Sequence, residues 1–164
     1  MIAFLQGRLA EANSNRVVVD VGGVGYEAVL SSQSFQLLPK VGENVRLLIH
    51  QHVREDTLAL YGFLTKDERD LFKLLLGVSG IGPKVASNIL SGITAGDFYR
   101  AVRDEDLAKL SGIPGIGKKT AERIVLELKE KAVLIMSVQA RGTRVLASDA
   151  RSGDASRALM ALGY

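Results

Sequence analysis

The chain has no cysteine and no tryptophan, only three prolines, and an aromatic content of 5%. Without cysteine there can be no disulfide, no thiolate nucleophile and no cysteine-ligated zinc. So few aromatics argue against a surface on which bases stack, and Tyr26, Phe35 and Tyr61 are read as core residues instead. A dominant charge sign is missing as well. The 21 Lys and Arg against 18 Asp and Glu leave a net charge of +3, which tilts toward an anionic partner without identifying one. Charged residues break every apolar run well short of the roughly 18 residues a membrane helix needs. The N-terminal MIAFLQGRLAEA lacks both the basic start and the apolar core of a secretory signal. These absences predict a cytoplasmic protein with no membrane partner.

What is present is a 164-residue chain, 47% hydrophobic, long enough for one ordinary domain or two small ones. Residues 1–63 hold five β-branched or aromatic-rich runs: Ile2 to Leu9, Arg16 to Val21, Gly25 to Leu30, Val45 to Val53 and Leu58 to Phe63. Five short strands predict a small barrel. Gly22 and Gly23 lie between two of the runs and read as a tight hairpin turn, because glycine reaches positive φ without strain. No helix follows Gly25, so this is not a phosphate-binding glycine loop.

At Thr65 the period changes. Thr65-Lys66-Asp67-Glu68 has the form of a capping box, and Leu71, Leu74 and Leu75 then recur at helical spacing. Thr94 and Asp97 cap a further short helix. The expected organisation is a barrel over 1–63, an all-α domain over 64–133, a linker of small and polar residues over 134–153, and the start of another helical domain over 154–164. The fold class is therefore multidomain α+β.

The helical part contains a repeat at an offset of 35 residues. Leu75-Leu76-Gly77-Val78-Ser79-Gly80-Ile81-Gly82-Pro83-Lys84-Val85-Ala86 matches Leu110-Ser111-Gly112-Ile113-Pro114-Gly115-Ile116-Gly117-Lys118-Lys119-Thr120-Ala121, and the match runs on through Ile89 and Ile124. Each unit is a helix end, a Gly-Ile-Gly hairpin with lysine, and a new helix. The glycines Gly80, Gly82, Gly115 and Gly117 are read as opening backbone angles closed to other residues and leaving no Cβ between a phosphate and the amides. Pro83 suits a first helical position, and the positive end of the helix that follows faces the same spot. Lys84, Lys118 and Lys119 add full charges, with Arg123 one turn further along the second helix. Such a unit holds a phosphate without reading a base. Ile81 and Ile116 should point inward. The pattern resembles the helix-hairpin-helix motif.

Gly112-Ile113-Pro114-Gly115-Ile116-Gly117-Lys118 also fits the first seven positions of a nucleotide-binding P-loop. The eighth is Lys119 where a magnesium-binding Ser or Thr is required, and Leu107 to Leu110 reads as helix where a strand should stand. Glu55 and Asp56 fall at the tip of a hairpin; from the residues alone this is a solvated turn, and a site that repels phosphate strands is the alternative. His50 and His52 share one side of a strand with no further ligand in view, so they read as core or surface residues.

Taken in order, VGGVGYE, VREDTLALYGF, both hairpins and PGIGKKTAERIVLELK make residues 1–131 similar to the RuvA family, the junction-binding subunits of the bacterial RuvAB branch-migration machine. The resemblance implies an N-terminal OB-fold barrel that assembles a homotetramer, or two tetramers face to face. It further implies a tandem helix-hairpin-helix domain gripping four-way (Holliday) junction arms, and a third domain recruiting the RuvB motor ATPase, with RuvC resolvase as a further partner in recombination and repair. The phosphate contacts it implies are Ser79, Gly80, Gly82, Lys84, Gly115, Gly117, Lys118, Lys119 and Arg123, and Glu55 and Asp56 become an acidic pin at the junction centre. The chain itself is expected to be non-catalytic and without cofactor, ATP hydrolysis residing on RuvB. Family members continue past an LGY segment with two more helices, whereas this sequence stops at Tyr164, so the expectation is an incomplete third domain that leaves RuvB binding open. A duplex-binding helix-hairpin-helix adaptor without junction preference is the alternative.

Overall fold

The computed structural model describes residues 1–138. Its N-terminal part contains β1 (Phe4–Asn13), β2 (Arg16–Val21), β3 (Val24–Val29), a short helix α1 (Ser32–Gln36), β4 (Asn44–Val53) and β5 (Leu58–Phe63). The strands close in the order β1-β2-β3-β5-β4, the topology of an OB-type barrel. Alternating residues supply the interior, with Leu9, Val17, Val19, Ala28 and Leu47 wholly or almost wholly buried. The β2–β3 turn has Gly22 and Gly23 at φ of 63° and 90°, the backbone a two-residue hairpin demands.

Two features depart from the sequence pattern. The first strand runs on to Asn13 rather than ending at Leu9, because an irregularity in register between Leu9 and Glu11 lets β1 pair with β4 through Phe4 to Arg8 and with β2 beyond. The polar residues after Leu9 therefore mark a bend in the strand and not its end. Helix α1 is the second. Ser31 caps it, accepting from the Ser34 amide at 3.1 Å, but five residues are too few to show a helical period.

The helical part comprises α2 (Lys66–Leu76), α3 (Pro83–Gly92), α4 (Ala95–Arg103), α5 (Leu107–Ser111) and α6 over 118–138. Residues 134–138, placed in the linker by their composition, continue α6; the rest of the linker and the segment 154–164 lie outside the described residues. Among the described residues no helix is long and apolar enough to cross a membrane. Both halves of the repeat share one core, in which Ile81, Ala86 and Ile89 are buried together with Ile116, Ala121 and Ile124.

Barrel and helices meet at Phe72. Its ring, fully buried, lies 5.0 Å from Tyr61, 5.0 Å from Phe63 and 5.4 Å from His50. The capping box at Thr65 is half used. Thr65 Oγ1 accepts from the Glu68 amide at 3.2 Å, but the Glu68 carboxylate turns to the barrel and accepts from Ser31 Oγ at 3.0 Å and Ser34 Oγ at 2.6 Å. This satisfies the two buried hydroxyls of the barrel. A further link runs from the Ser32 amide to Ser91 Oγ on α3 at 2.9 Å.

Truncating Phe72 leaves a cavity under both parts, so Phe72→Ala should lower unfolding free energy by about 3–5 kcal/mol, measured as a shift in the urea midpoint. His50 gives a pH signature. Burial first, then the positive charge of Lys73, push its pKa below the ordinary 6.5. As pH falls through that value the unfolded chain takes up a proton that the folded protein resists, so stability drops toward the lowered folded value. His50→Gln should remove this part of the acid dependence, seen by comparing urea midpoints at about pH 7.5 and about pH 5.5.

Candidate nucleic-acid interface

The first hairpin is built from tight turns. The Val78 amide donates to the Leu75 carbonyl at 3.0 Å and the Ile81 amide to the Val78 carbonyl at 3.1 Å, so the chain reverses within a few residues of the end of α2. Gly80 makes this possible at φ 87°, a left-handed conformation that costs other residues strain. Gly82 then caps α3, with Pro83 in its first turn and no side chain bonded to the helix's first amides. Those amides face outward with the positive end of the helix dipole behind them.

The second hairpin repeats this bond for bond. Ile113 donates to Leu110 at 3.2 Å, Ile116 to Ile113 at 3.0 Å and Ala121 to Gly117 at 2.9 Å, with Gly115 at φ 88°. Ile81 and Ile116 are each 5% exposed and anchor their hairpins in the shared core. The segment before the second hairpin is helix α5, so the strand that a P-loop requires is not there.

Two details differ from what the sequence suggests. Only the first glycine of each Gly-Ile-Gly needs its special backbone: Gly82 sits at φ −94°, open to any residue, and a Cβ on Gly82 or Gly117 would meet nothing within 4 Å. Their value is the open space above the amides. Arg123, expected beside its own hairpin, instead serves the first one, its Nη1 donating to the Ser79 carbonyl at 3.0 Å. Helix packing decides this, since both repeats draw on one core and α6 brings Arg123 to the first hairpin. Lys84, Lys118, Lys119 and Arg123 are exposed, and none forms an ion pair among the described residues. The two hairpins thus carry cations with no ion pair among the described residues beside helix starts, that of α3 without a side-chain cap, which suits phosphate and no base.

Glu55 and Asp56 form the exposed two-residue tip between β4 and β5, closed by the Arg54 amide donating to the Thr57 carbonyl at 2.8 Å. Thr57 Oγ1 donates to Asp56 Oδ1 at 3.0 Å. The structure brings this hairpin close to the first Gly-Ile-Gly unit. An open groove of about 310 Å³ runs between them, with His52, Arg54 and Thr57 on one wall and Gly82 to Val85 on the other. Arg54 was not singled out by the sequence; its only signal there was adjacency to the acidic pair. His50 is a packing residue against Phe72.

Residues 1–62 match the family described as RuvA N terminal domain, and residues 72–130 match the SAM-like helix-hairpin-helix tandem. A protein of Syntrophotalea carbinolica is 50% identical over 166 aligned positions, spanning 100% of this chain and 83% of its own length. One of Methylibium petroleiphilum is 49% identical over 100% of this chain and 84% of its own. One of Solibacter usitatus is 53% identical over 80% of this chain and 66% of its own. Each is named Holliday junction branch migration complex subunit RuvA.

The contrast between paired glycines is testable. Gly80→Ala forces a side chain into φ 87° with its Cβ 3.3 Å from Arg123, and should cost roughly 1–2 kcal/mol in a denaturation series. Gly82→Ala, at ordinary φ in open space, should leave the midpoint within about 0.5 kcal/mol of the parent.

Proposed function

The chain belongs to the RuvA family, and from that premise we propose that it binds four-way junction DNA through backbone phosphates held at its two hairpins. The barrel over 1–63 assembles a homotetramer and the helical repeat over 64–133 meets DNA. Four subunits present eight hairpins to four duplex arms, clasped by one tetramer or by two face to face. Ser79, Gly80, Gly82, Lys84 and Arg123 hold a phosphate at the first hairpin. Gly115, Gly117, Lys118 and Lys119 hold one at the second. Glu55 and Asp56 repel phosphates at the centre, so strands leave on diverging paths. RuvB supplies the ATP-driven movement and RuvC acts on the same junction. The observation that carries this account is the repetition of the same hairpin turn before two helix starts, with lysines that form no ion pair among the described residues, and a groove from the first of them to Arg54 and Thr57, which flank the acidic tip.

Recognition through phosphates ignores base sequence, so selectivity rests on the geometry of the branch. Competitive gel-shift of the purified chain on a four-way junction against linear duplex of the same arm sequences, without magnesium or ATP, should show strong junction preference. Affinity should fall by about 0.9 log units per phosphate contact per tenfold rise in salt. The Glu55→Gln/Asp56→Asn double variant should bind linear duplex more tightly and discriminate less. Equal binding to both DNAs, untouched by the double variant, would reduce the chain to a sequence-independent duplex adaptor.

A further inference from the structure

Positions 35 apart are equivalent in the two repeats, and Asn88 on α3 is the equivalent of Arg123 on α6. The packing of the repeats is reciprocal: each of these helices delivers this side chain to the other repeat's hairpin. Arg123 Nη1 lies 3.3 Å from where a Cβ on Gly80 would stand, and Asn88 Nδ2 lies 3.3 Å from where a Cβ on Gly115 would stand. Arg123 also donates to the Ser79 carbonyl, while among the described residues the Asn88 amide has no hydrogen-bond partner. Asn88 is half-buried in a groove of about 260 Å³ that holds Ser32, Ser87, Ser91 and Pro114 and no charged residue.

The charges around the two hairpins explain why the equivalents differ. The first hairpin has Lys84 from its own helix and Arg123 from the opposite repeat. The second has Lys118 and Lys119 from its own helix, Lys118 standing where the first repeat has Pro83. Each hairpin therefore carries two cations, and the second needs from the opposite repeat only a neutral donor. An amide N–H is short, directional and uncharged, and a hydrogen bond to a charged phosphate oxygen is stronger than one between neutral groups.

We propose that Asn88 is a phosphate ligand of the second hairpin, its Nδ2 donating to a non-bridging oxygen of the DNA phosphodiester held by the amides that follow Gly115. The assignment rests on the backbone-binding role of the hairpins given above. It separates a ligand that releases no counterion from those that do. Asn88→Ala should weaken binding to a four-way junction about tenfold with the slope of log affinity against log salt unchanged. Arg123→Ala should weaken binding and flatten that slope by about 0.9 for each phosphate left without its cation. Asn88→Asp, which keeps the shape of the side chain, should weaken binding more than Asn88→Ala by placing a carboxylate against the phosphate. Asn88→Arg should restore binding and steepen the slope. Thermal midpoints of all variants, compared with the parent, distinguish a missing phosphate ligand from a destabilised fold, and the isosteric Asn88→Asp covers the case in which Asn88→Ala is unstable. If folded Asn88→Ala and Asn88→Asp bind like the parent while Lys118→Ala binds weakly, the role of Asn88 is overturned and the hairpins stand. If Lys84→Ala and Lys118→Ala also bind like the parent, the hairpin account falls and this inference with it.

Discussion

Everything proposed for the DNA-facing surface depends on one backbone constraint, the left-handed turn at Gly80 and again at Gly115. Only a chain that takes φ near +88° at that position can leave one helix and start the next within so few residues. That brevity lets Ile81 and Ile116 stay in the core while Lys84, Lys118 and Lys119 at the starts of α3 and α6 are exposed. A longer loop would bring its own unsatisfied amides and its own mobility. Fixing two soft torsions here positions the start of the next helix without any side chain having to be ordered for it.

The two hairpins are held relative to each other because they draw on a single core and exchange side chains. The barrel is tied to them by Phe72 and by the carboxylate of Glu68, which has left its own helix cap to satisfy Ser31 and Ser34. This seam gives the acidic tip at Glu55 and Asp56 a defined place beside the first hairpin. Without it, the acidic tip on one element and the cationic hairpins on another would have no common geometry.

A net charge of +3 is small for a protein that grips a polyanion, and its distribution resolves the difficulty. Arg8, Arg16, Arg69, Arg100, Arg103 and Lys129 are each paired with a carboxylate, whereas Lys84, Lys118, Lys119 and Arg123 have no such partner among the described residues. Lys40, Arg46, Arg54, Lys66, Lys73, Lys109 and Lys131 are likewise without an ion pair among the described residues, so it is the grouping of four cations at the two hairpins that raises the local field there.

The strand-rich first part, the helical second part, the repeat and its lysines were legible in the sequence because each is a local pattern: a period, a cap, a glycine at a fixed step. The left-handed turns at Gly80 and Gly115 follow from the same local chemistry. What the sequence misplaced or missed depends on which surfaces pack together. Strand β1 continues past Leu9 because its second partner is β2, and Glu68 abandons the capping box because two buried hydroxyls need a partner. Arg123 reaches the first hairpin and Asn88 the second because the two repeats pack around one core. Spacing along a chain specifies which residues share an element. Only the tertiary structure decided which element each of them faces, since that is set by the burial of a core common to both repeats.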